Sequence, residues 1–163
     1  MRDTILWKKE SDQYFKRSLF SLSDDLVDAE KEVKKLSKIV PNKKEIKSIL
    51  DLGCNCGVFT GFLTKYFPRA DITGIDPSEK AIKFARAKYK KISNLKFIVG
   101  GVPGLFFKKK FDLVVVRMVL QWLPRQNLFE TMAEIDKLAD RLIYINEFSP
   151  LVASTSTSIH NKK

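Results

Sequence analysis

Cysteine and histidine are scarce in this sequence of 163 residues, which contains Cys54, Cys56 and His160 as its complete set. Structural zinc sites take four ligands, drawn mainly from these two residue types. Three candidates, two of them separated by a single residue, make a poor zinc site, and the same C-x-C spacing is too short for an ordinary structural disulfide. We therefore expect no metal site and no disulfide framework.

Long apolar runs are also missing. No apolar run reaches the roughly 18 residues that a membrane-spanning helix needs. The N-terminal sequence, which begins MRDT, lacks the apolar centre of a signal peptide. Hydrophobic residues nevertheless make up 44% of the chain, enough to bury a core in one domain. These features predict a single cytoplasmic domain over 1–163.

Acidic residues are outnumbered, since 30 lysines and arginines against 19 acids give a formal net charge of +11. Such an excess is found in proteins that bind nucleic acid and also on lysine-rich solvated surfaces. Here the basic residues are spread along the chain among acids, although 108–110 is a run of three lysines. The pattern leaves nucleic acid open as a partner and favours a small molecule.

Short apolar runs alternate with helical patterns through most of the chain. Apolar residues at helical spacing first predict a helix over 24–40. The strands predicted after it are 48–52, 71–75, 96–99, 112–116 and 141–145. The helices predicted between them are 58–67, 79–89 and 126–138. This alternation indicates an α/β fold, a doubly wound parallel sheet with the carboxyl ends of all strands at one edge.

Both ends of the chain differ from this α/β core. We predict an N-terminal helical cap over 1–46, a core over 47–150 and a polar tail over 151–163 that forms a loop. With the tail as a loop, strand 141–145 would lie unpaired at the sheet edge. We expect either the tail or a second copy in a homodimer to cover that edge.

Two acids lie at the ends of neighbouring strands of the predicted sheet. Asp51 is the next-to-last residue of the first predicted strand, and Asp76 comes directly after the second, 25 residues later. A carboxylate at the second strand end can accept ribose hydroxyls, and one at the first can attract an ammonium group. Between them, Gly53 lets a ligand approach the backbone, and Asn55 tolerates a left-handed conformation. Either acid alone could be a helix cap or a solvated loop acid, but the pair favours a ligand site.

Three segments resemble the motifs of class I S-adenosylmethionine-dependent methyltransferases. Segment 49–57, ILDLGCNCG, is similar to their acid-x-Gly-x-Gly-x-Gly motif, with Asn55 in place of the middle glycine. Segment 74–78, GIDPS, resembles their second motif, and segment 111–124, FDLVVVRMVLQWLP, resembles their fourth. The resemblance implies a Rossmann-like sheet in the order 3-2-1-4-5 and S-adenosylmethionine as cofactor. The family domain usually ends in a further helix and an antiparallel hairpin, which we expect this chain to lack.

The same resemblance implies a set of cofactor-binding residues. An acid is usual after the third strand, but segment 100–102 reads GGV, so adenine would meet backbone groups and apolar walls there. The implied cofactor-binding residues are Asp51, Gly53, Cys54, Asn55, Gly57, Asp76, Pro77, Gly101, Val102 and Arg117.

Candidates for the substrate side follow the fourth and fifth strands or lie near the N-terminus. Trp122 follows the fourth strand, where the family's substrate pocket opens, and a core anchor is the alternative role. Arg117, at the end of the fourth strand, is a candidate catalytic residue that could pair with an acidic group of the substrate, or it could merely be exposed. Glu147 is a candidate catalytic base or a solvated loop acid. Tyr14 and Arg17 could fold over the cofactor's carboxylate, because a guanidinium matches that group, but an ordinary amphipathic helix explains them equally well.

A narrower resemblance is to methylases associated with pseudaminic acid biosynthesis. It is carried by Leu6-Trp7, Tyr14, Arg17 and segment 144–148, YINEF. It points to a sugar or a sugar precursor as the methyl acceptor. We thus expect a methyltransferase acting on a small molecule. An RNA methyltransferase and a non-catalytic S-adenosylmethionine-binding module are the alternatives.

Overall fold

The computed structural model describes residues 11–13, 15–16, 22–105, 107–149 and 154–161, and only the backbone of 22–26, 148–149 and 154–161. Its residues 11–13 and 15–16 are helical, and the longer helices after them are α1 (Leu22–Ile39), α2 (Val58–Tyr66), α3 (Glu79–Lys88) and α4 (Leu128–Leu138). Its strands are β1 (Ser48–Leu52), β2 (Asp71–Asp76), β3 (Leu95–Val99), β4 (Phe111–Arg117), β5 (Ala139–Ser149) and β6 (Ser154–Asn161). Short 3-10 turns occur at Lys43–Glu45, Leu120–Trp122 and Arg125–Asn127.

The six strands form one sheet in the order β3-β2-β1-β4-β5-β6. Neighbouring strands among β1 to β5 are parallel, which confirms the predicted order 3-2-1-4-5. Asp51 lies opposite Gly74 of β2 and Val115 of β4, so β1 is central. The carboxyl ends of the parallel strands therefore share one edge, which is where ligands bind in open α/β sheets.

Strand β4 shows why the sheet is covered on both faces. Its residues from Leu113 to Val116 are fully buried, and their side chains alternate between the two faces of the sheet. Leu113 and Val115 join a core that contains residues of α1 and α2, while Val114 and Val116 join a core that contains residues of α4. An uninterrupted apolar run is what a strand buried on both faces requires.

The prediction of a loop at the C-terminal end was wrong. Residues Ser154–Asn161 form β6, which pairs antiparallel with β5 from Leu142↔Asn161 to Ser149↔Ser154. The serine and threonine repeat there has no apolar alternation, so the pattern gave no strand signal, and the long edge of β5 supplies the backbone partners. One antiparallel strand thus stands where we expected the sheet to end. The tail covers β5, as one of the two alternatives predicted, and the homodimer stays a prediction.

Candidate functional site

A cavity of about 330 Å³ opens at the carboxyl ends of the parallel strands. Its walls are the turn after β1, the end of β2, the loops after β3 and β4, and part of the N-terminal segment. The lining residues are Ser11, Gln13, Leu52, Gly53, Asn55, Ile75, Asp76, Pro77, Gly100, Gly101, Val102, Met118, Val119, Trp122 and Leu123.

The turn after β1 forms one wall of the cavity and is built from left-handed residues. The φ angles are 73° at Gly53, 47° at Asn55 and 76° at Gly57. Glycine and asparagine are the residue types that adopt such positive φ angles most readily. A Cβ at Gly53 would also lie 2.4 Å from Val119 Cγ2. The Gly53 amide donates to the Ile75 carbonyl at 2.8 Å, which ties the turn to β2. The prediction of a left-handed Asn55 is confirmed.

Asp76 presents a buried carboxylate at the end of β2, where it lines the cavity with only 7% of the residue exposed. Its Oδ1 accepts a hydrogen bond from the Ser78 amide at 2.8 Å, and its Oδ2 accepts one from the Asn55 amide at 2.9 Å. Burial raises the pKa of Asp76 to about 6, although these two hydrogen bonds oppose the rise. Each oxygen keeps a further lone pair, so the oriented carboxylate can accept two more donors.

Asp51 lies in a different environment from Asp76. It is 2% exposed, does not line the cavity, and accepts a hydrogen bond from Thr60 Oγ1 at 2.6 Å. Burial raises the pKa of Asp51 to about 7, opposed by the Thr60 hydrogen bond and by the charge of Arg117. The predicted contact between Asp51 and a ligand's ammonium group stays a prediction.

Arg117, at the end of β4, contacts α1. Its Nε donates to Glu32 Oε2 at 2.6 Å, and its guanidinium lies 5.4 Å from the centroid of the Phe59 ring. Tyr144 and Asn146 of β5 also donate to Glu32. Arg117 therefore helps to hold α1 over the sheet. It does not line the cavity, and its predicted roles toward cofactor and substrate have no support from this placement.

The loop after β4 forms another wall of the cavity. Met118 turns left-handed with a φ of 55°, and its amide donates to the Asn146 carbonyl at 2.8 Å. Glu147 Oε1 accepts hydrogen bonds from the Val119 amide at 2.7 Å and from the Leu120 amide at 2.9 Å. Glu147 itself does not line the cavity, which is poor placement for the predicted base.

The cavity brings together many of the predicted residues. Those that line it are Gly53, Asn55, Asp76, Pro77, Gly101, Val102 and Trp122. Trp122 is 45% exposed there, so the alternative role of core anchor does not describe it. The predicted site residues outside the lining are Asp51, Cys54, Gly57, Arg117 and Glu147. Tyr14 and Arg17 lie outside the described residues.

Sequence reasoning missed other lining residues. Leu52 and Ile75 were detectable, because they are the last residues of the first two predicted strands. Met118 and Val119 were detectable as the residues that follow β4. Ser11 and Gln13 carry no sequence signal for a ligand. Among the residues that the structure describes, no group of three or more potential metal ligands occurs. The helices in this part of the chain are all too short or too polar to cross a bilayer.

Comparison with known proteins identifies the family of this chain. Residues 49–140 match the model of the methyltransferase domain, and the chain therefore belongs to this family of methyltransferase domains. It is 32% identical over 123 residues to malonyl-[acyl-carrier protein] O-methyltransferase 1 of Ilyobacter polytropus, covering 75% of this chain and 46% of that protein. It is 35% identical over 89 residues to trans-aconitate 2-methyltransferase of Deinococcus radiodurans, covering 55% of this chain and 33% of that protein. The chain thus spans about half or less of the length of these curated relatives.

Solved structures share the fold. The plantazolicin methyltransferase BpumL in complex with SAH has a TM-score of 0.63 at 25% identity, covering 87% of this chain and 53% of that one. Streptomyces venezuelae DesVI has a TM-score of 0.69 at 21% identity, covering 85% of this chain and 58% of that one. These findings confirm the predicted Rossmann-like fold. The methyltransferase family to which the chain belongs uses S-adenosylmethionine as cofactor.

Proposed function

We propose that this chain binds S-adenosylmethionine in the cavity at the strand ends and methylates a carboxylate oxygen of a small acid. The observation that carries the proposal is the buried Asp76 carboxylate, which the amides of Asn55 and Ser78 hold at the cavity wall. The left-handed turn at Gly53 and Asn55 faces the same cavity.

The residues of the cavity fit this cofactor. Asp76 has free acceptor capacity for the two ribose hydroxyls. Pro77 and Val102 supply apolar surface for adenine, and Gly101 leaves space, since a Cβ there would approach nothing closer than Pro77 Cβ at 3.7 Å. When bound, the cofactor supplies a methyl group on a positively charged sulfonium, activated for transfer to a nucleophile. The protein's part is to orient the two reactants and exclude water.

The chemistry of the lining favours an acceptor that is already ionised. Among the described lining residues, Asp76 is the ionisable one, and two amides already bind its carboxylate. The polar side chains of Ser11 and Gln13 could orient an acceptor but would not deprotonate it. A carboxylate needs no base at neutral pH, whereas an alcohol does.

Two further observations support an acidic acceptor. The relatives at 32% and 35% identity are named for malonyl-[acyl-carrier protein] and for trans-aconitate, both of which are carboxylic acids. The net charge of +11 would also raise the local concentration of anionic molecules. The sugar acceptor expected from the narrower sequence resemblance is the main competing outcome. The N-terminal domain of EvdMO1, crystallised in the presence of SAH and D-fucose, shares only the fold at 20% identity.

The test is a methyl-transfer assay with isotopically labelled S-adenosylmethionine and a matched panel of acceptors. The panel contains trans-aconitate, a malonyl thioester, the methyl esters of both with every carboxyl group esterified, nucleotide sugars and RNA. We expect label to enter the free acids only and to be released as methanol by alkali, because the product is an ester. Alkali-stable label in a sugar or in RNA, or no transfer to any free acid, would overturn the carboxylate assignment.

A further inference from the structure

Four residues of the loop after β4, Met118, Val119, Trp122 and Leu123, line the cavity and are called the β4 wall here. The backbone enters this wall through Met118 in a left-handed conformation, with a φ of 55°. A methionine has no local preference for that conformation, so contacts from elsewhere in the fold must hold it in place.

Those contacts come from two consecutive residues of β5. The amide of Met118 donates to the Asn146 carbonyl at 2.8 Å. The next two amides, of Val119 and Leu120, both donate to Glu147 Oε1, at 2.7 and 2.9 Å. Three successive amides of the loop are thus held by the end of β5, and a charged acceptor makes the last two hydrogen bonds the stronger ones.

The β4 wall also packs against the turn after β1. The side chain of Val119 fills the space beside Gly53, because a Cβ at Gly53 would lie 2.4 Å from Val119 Cγ2. Any displacement of the amides that Glu147 holds would therefore move this wall relative to the turn. Methyl transfer depends on an in-line approach of the acceptor, and such small misplacements are costly in rate.

The placement of Glu147 does not suit a catalytic base. Glu147 does not line the cavity, and its Oε1 is occupied by two amides. Its Oε2 is buried and has no hydrogen-bond partner in the part of the chain that the structure describes. We infer that Glu147 is a positioning residue whose carboxylate fixes the β4 wall through the amides of Val119 and Leu120. The inference rests on the proposed function for its effect on methyl transfer.

The first test needs neither cofactor nor acceptor. Amide hydrogen exchange at Val119 and Leu120 is measured in the wild type, Glu147→Ala, Glu147→Gln and the control Glu130→Ala, whose side chain is exposed on α4. We expect exchange at both amides to accelerate about tenfold or more in Glu147→Ala only. The glutamine carbonyl can accept both hydrogen bonds, so Glu147→Gln should stay within about threefold of wild type. Unchanged protection in Glu147→Ala would overturn the inference.

The second test separates positioning from base catalysis, with trans-aconitate as the acceptor probe. We expect Glu147→Ala to lower kcat/KM for the acceptor about tenfold to a hundredfold. Its Kd for S-adenosylmethionine should change less than about threefold, because other hydrogen bonds hold Asp76 in place. Glu147→Gln should restore most of the rate with the wild-type pH profile. A glutamine variant as slow as alanine, with an altered pH profile, would make Glu147 a base. If the wild type methylates neither trans-aconitate nor the malonyl thioester, the proposed acceptor class is wrong, and the exchange experiment still decides whether Glu147 holds the wall.

Discussion

Two left-handed turns line the same cavity side by side, and they are held by different means. The turn after β1 uses Gly53 and Asn55, residue types that adopt this conformation readily. The loop after β4 turns at Met118, which does not. Contacts from Asn146 and Glu147 hold that second turn. One wall of the cavity is therefore specified by local sequence, whereas the other depends on a strand that lies nearly 30 residues further along the chain.

The largest effect on stability is expected at the locally specified turn. Gly53→Ala adds a side chain at a φ of 73°, 2.4 Å from Val119 Cγ2. Strain and overpacking together should lower the free energy of unfolding by about 3–5 kcal/mol, measured by urea denaturation. Gly101→Ala is the matched control, because its Cβ would meet its nearest neighbour at an ordinary 3.7 Å. Equal stability of the two variants would mean that the turn is not constrained as described.

A smaller effect, this time a gain in the free energy of unfolding, is expected from a substitution of Asp51, just before the same turn. Burial raises the pKa of Asp51 from 3.8 to about 7. The folded state then retains a proton that the unfolded state releases, so stability falls as the pH rises from about 4 to about 7 and is level above that range. Asp51→Asn removes this loss, and the variant should exceed the wild type by roughly 3–4 kcal/mol near pH 8 and by little near pH 4.

Asp71→Asn, at the exposed start of β2, is the control for that pH series. Its free energy of unfolding should follow the wild type at each pH. A wild-type stability that rises between about pH 4 and pH 7, with no gain in Asp51→Asn, would contradict the assignment of a raised pKa to Asp51.

The smallest effect is expected at the turn held from a distance. Met118→Asn places a residue that tolerates the left-handed region at a φ of 55°, which should raise the free energy of unfolding by about 0.5–1 kcal/mol. Gln121→Asn, an exposed neighbour in the same loop, serves as control and should change stability very little. Thermal unfolding of the three proteins checks this, and a clear loss of stability in Met118→Asn would show that the turn is not strained.

The same contrast explains what the sequence could reveal. The alternation of strands and helices, the paired acids and the left-handed Asn55 follow from local patterns, namely apolar periodicity and turn-forming residues. The strand order needed the resemblance to class I methyltransferases as well. The partner of Arg117 could not be predicted, because Glu32 lies 85 residues away on α1. Strand β6 was missed for a similar reason. Its serine and threonine repeat acquires strand structure through pairing with β5 and not through any apolar alternation of its own.

The central claim is that the cavity binds S-adenosylmethionine through Asp76, and calorimetric titration tests it most directly. The titration is run near pH 8, above the pKa of about 6 to which burial raises Asp76. We expect the wild type and the exposed-site control Asp71→Ala to bind equally well. Asp76→Ala should bind about tenfold to a hundredfold more weakly, roughly 1.5–3 kcal/mol, because a charge-assisted contact is lost. An Asp76→Ala protein that remains folded and binds S-adenosylmethionine with unchanged affinity would contradict the account.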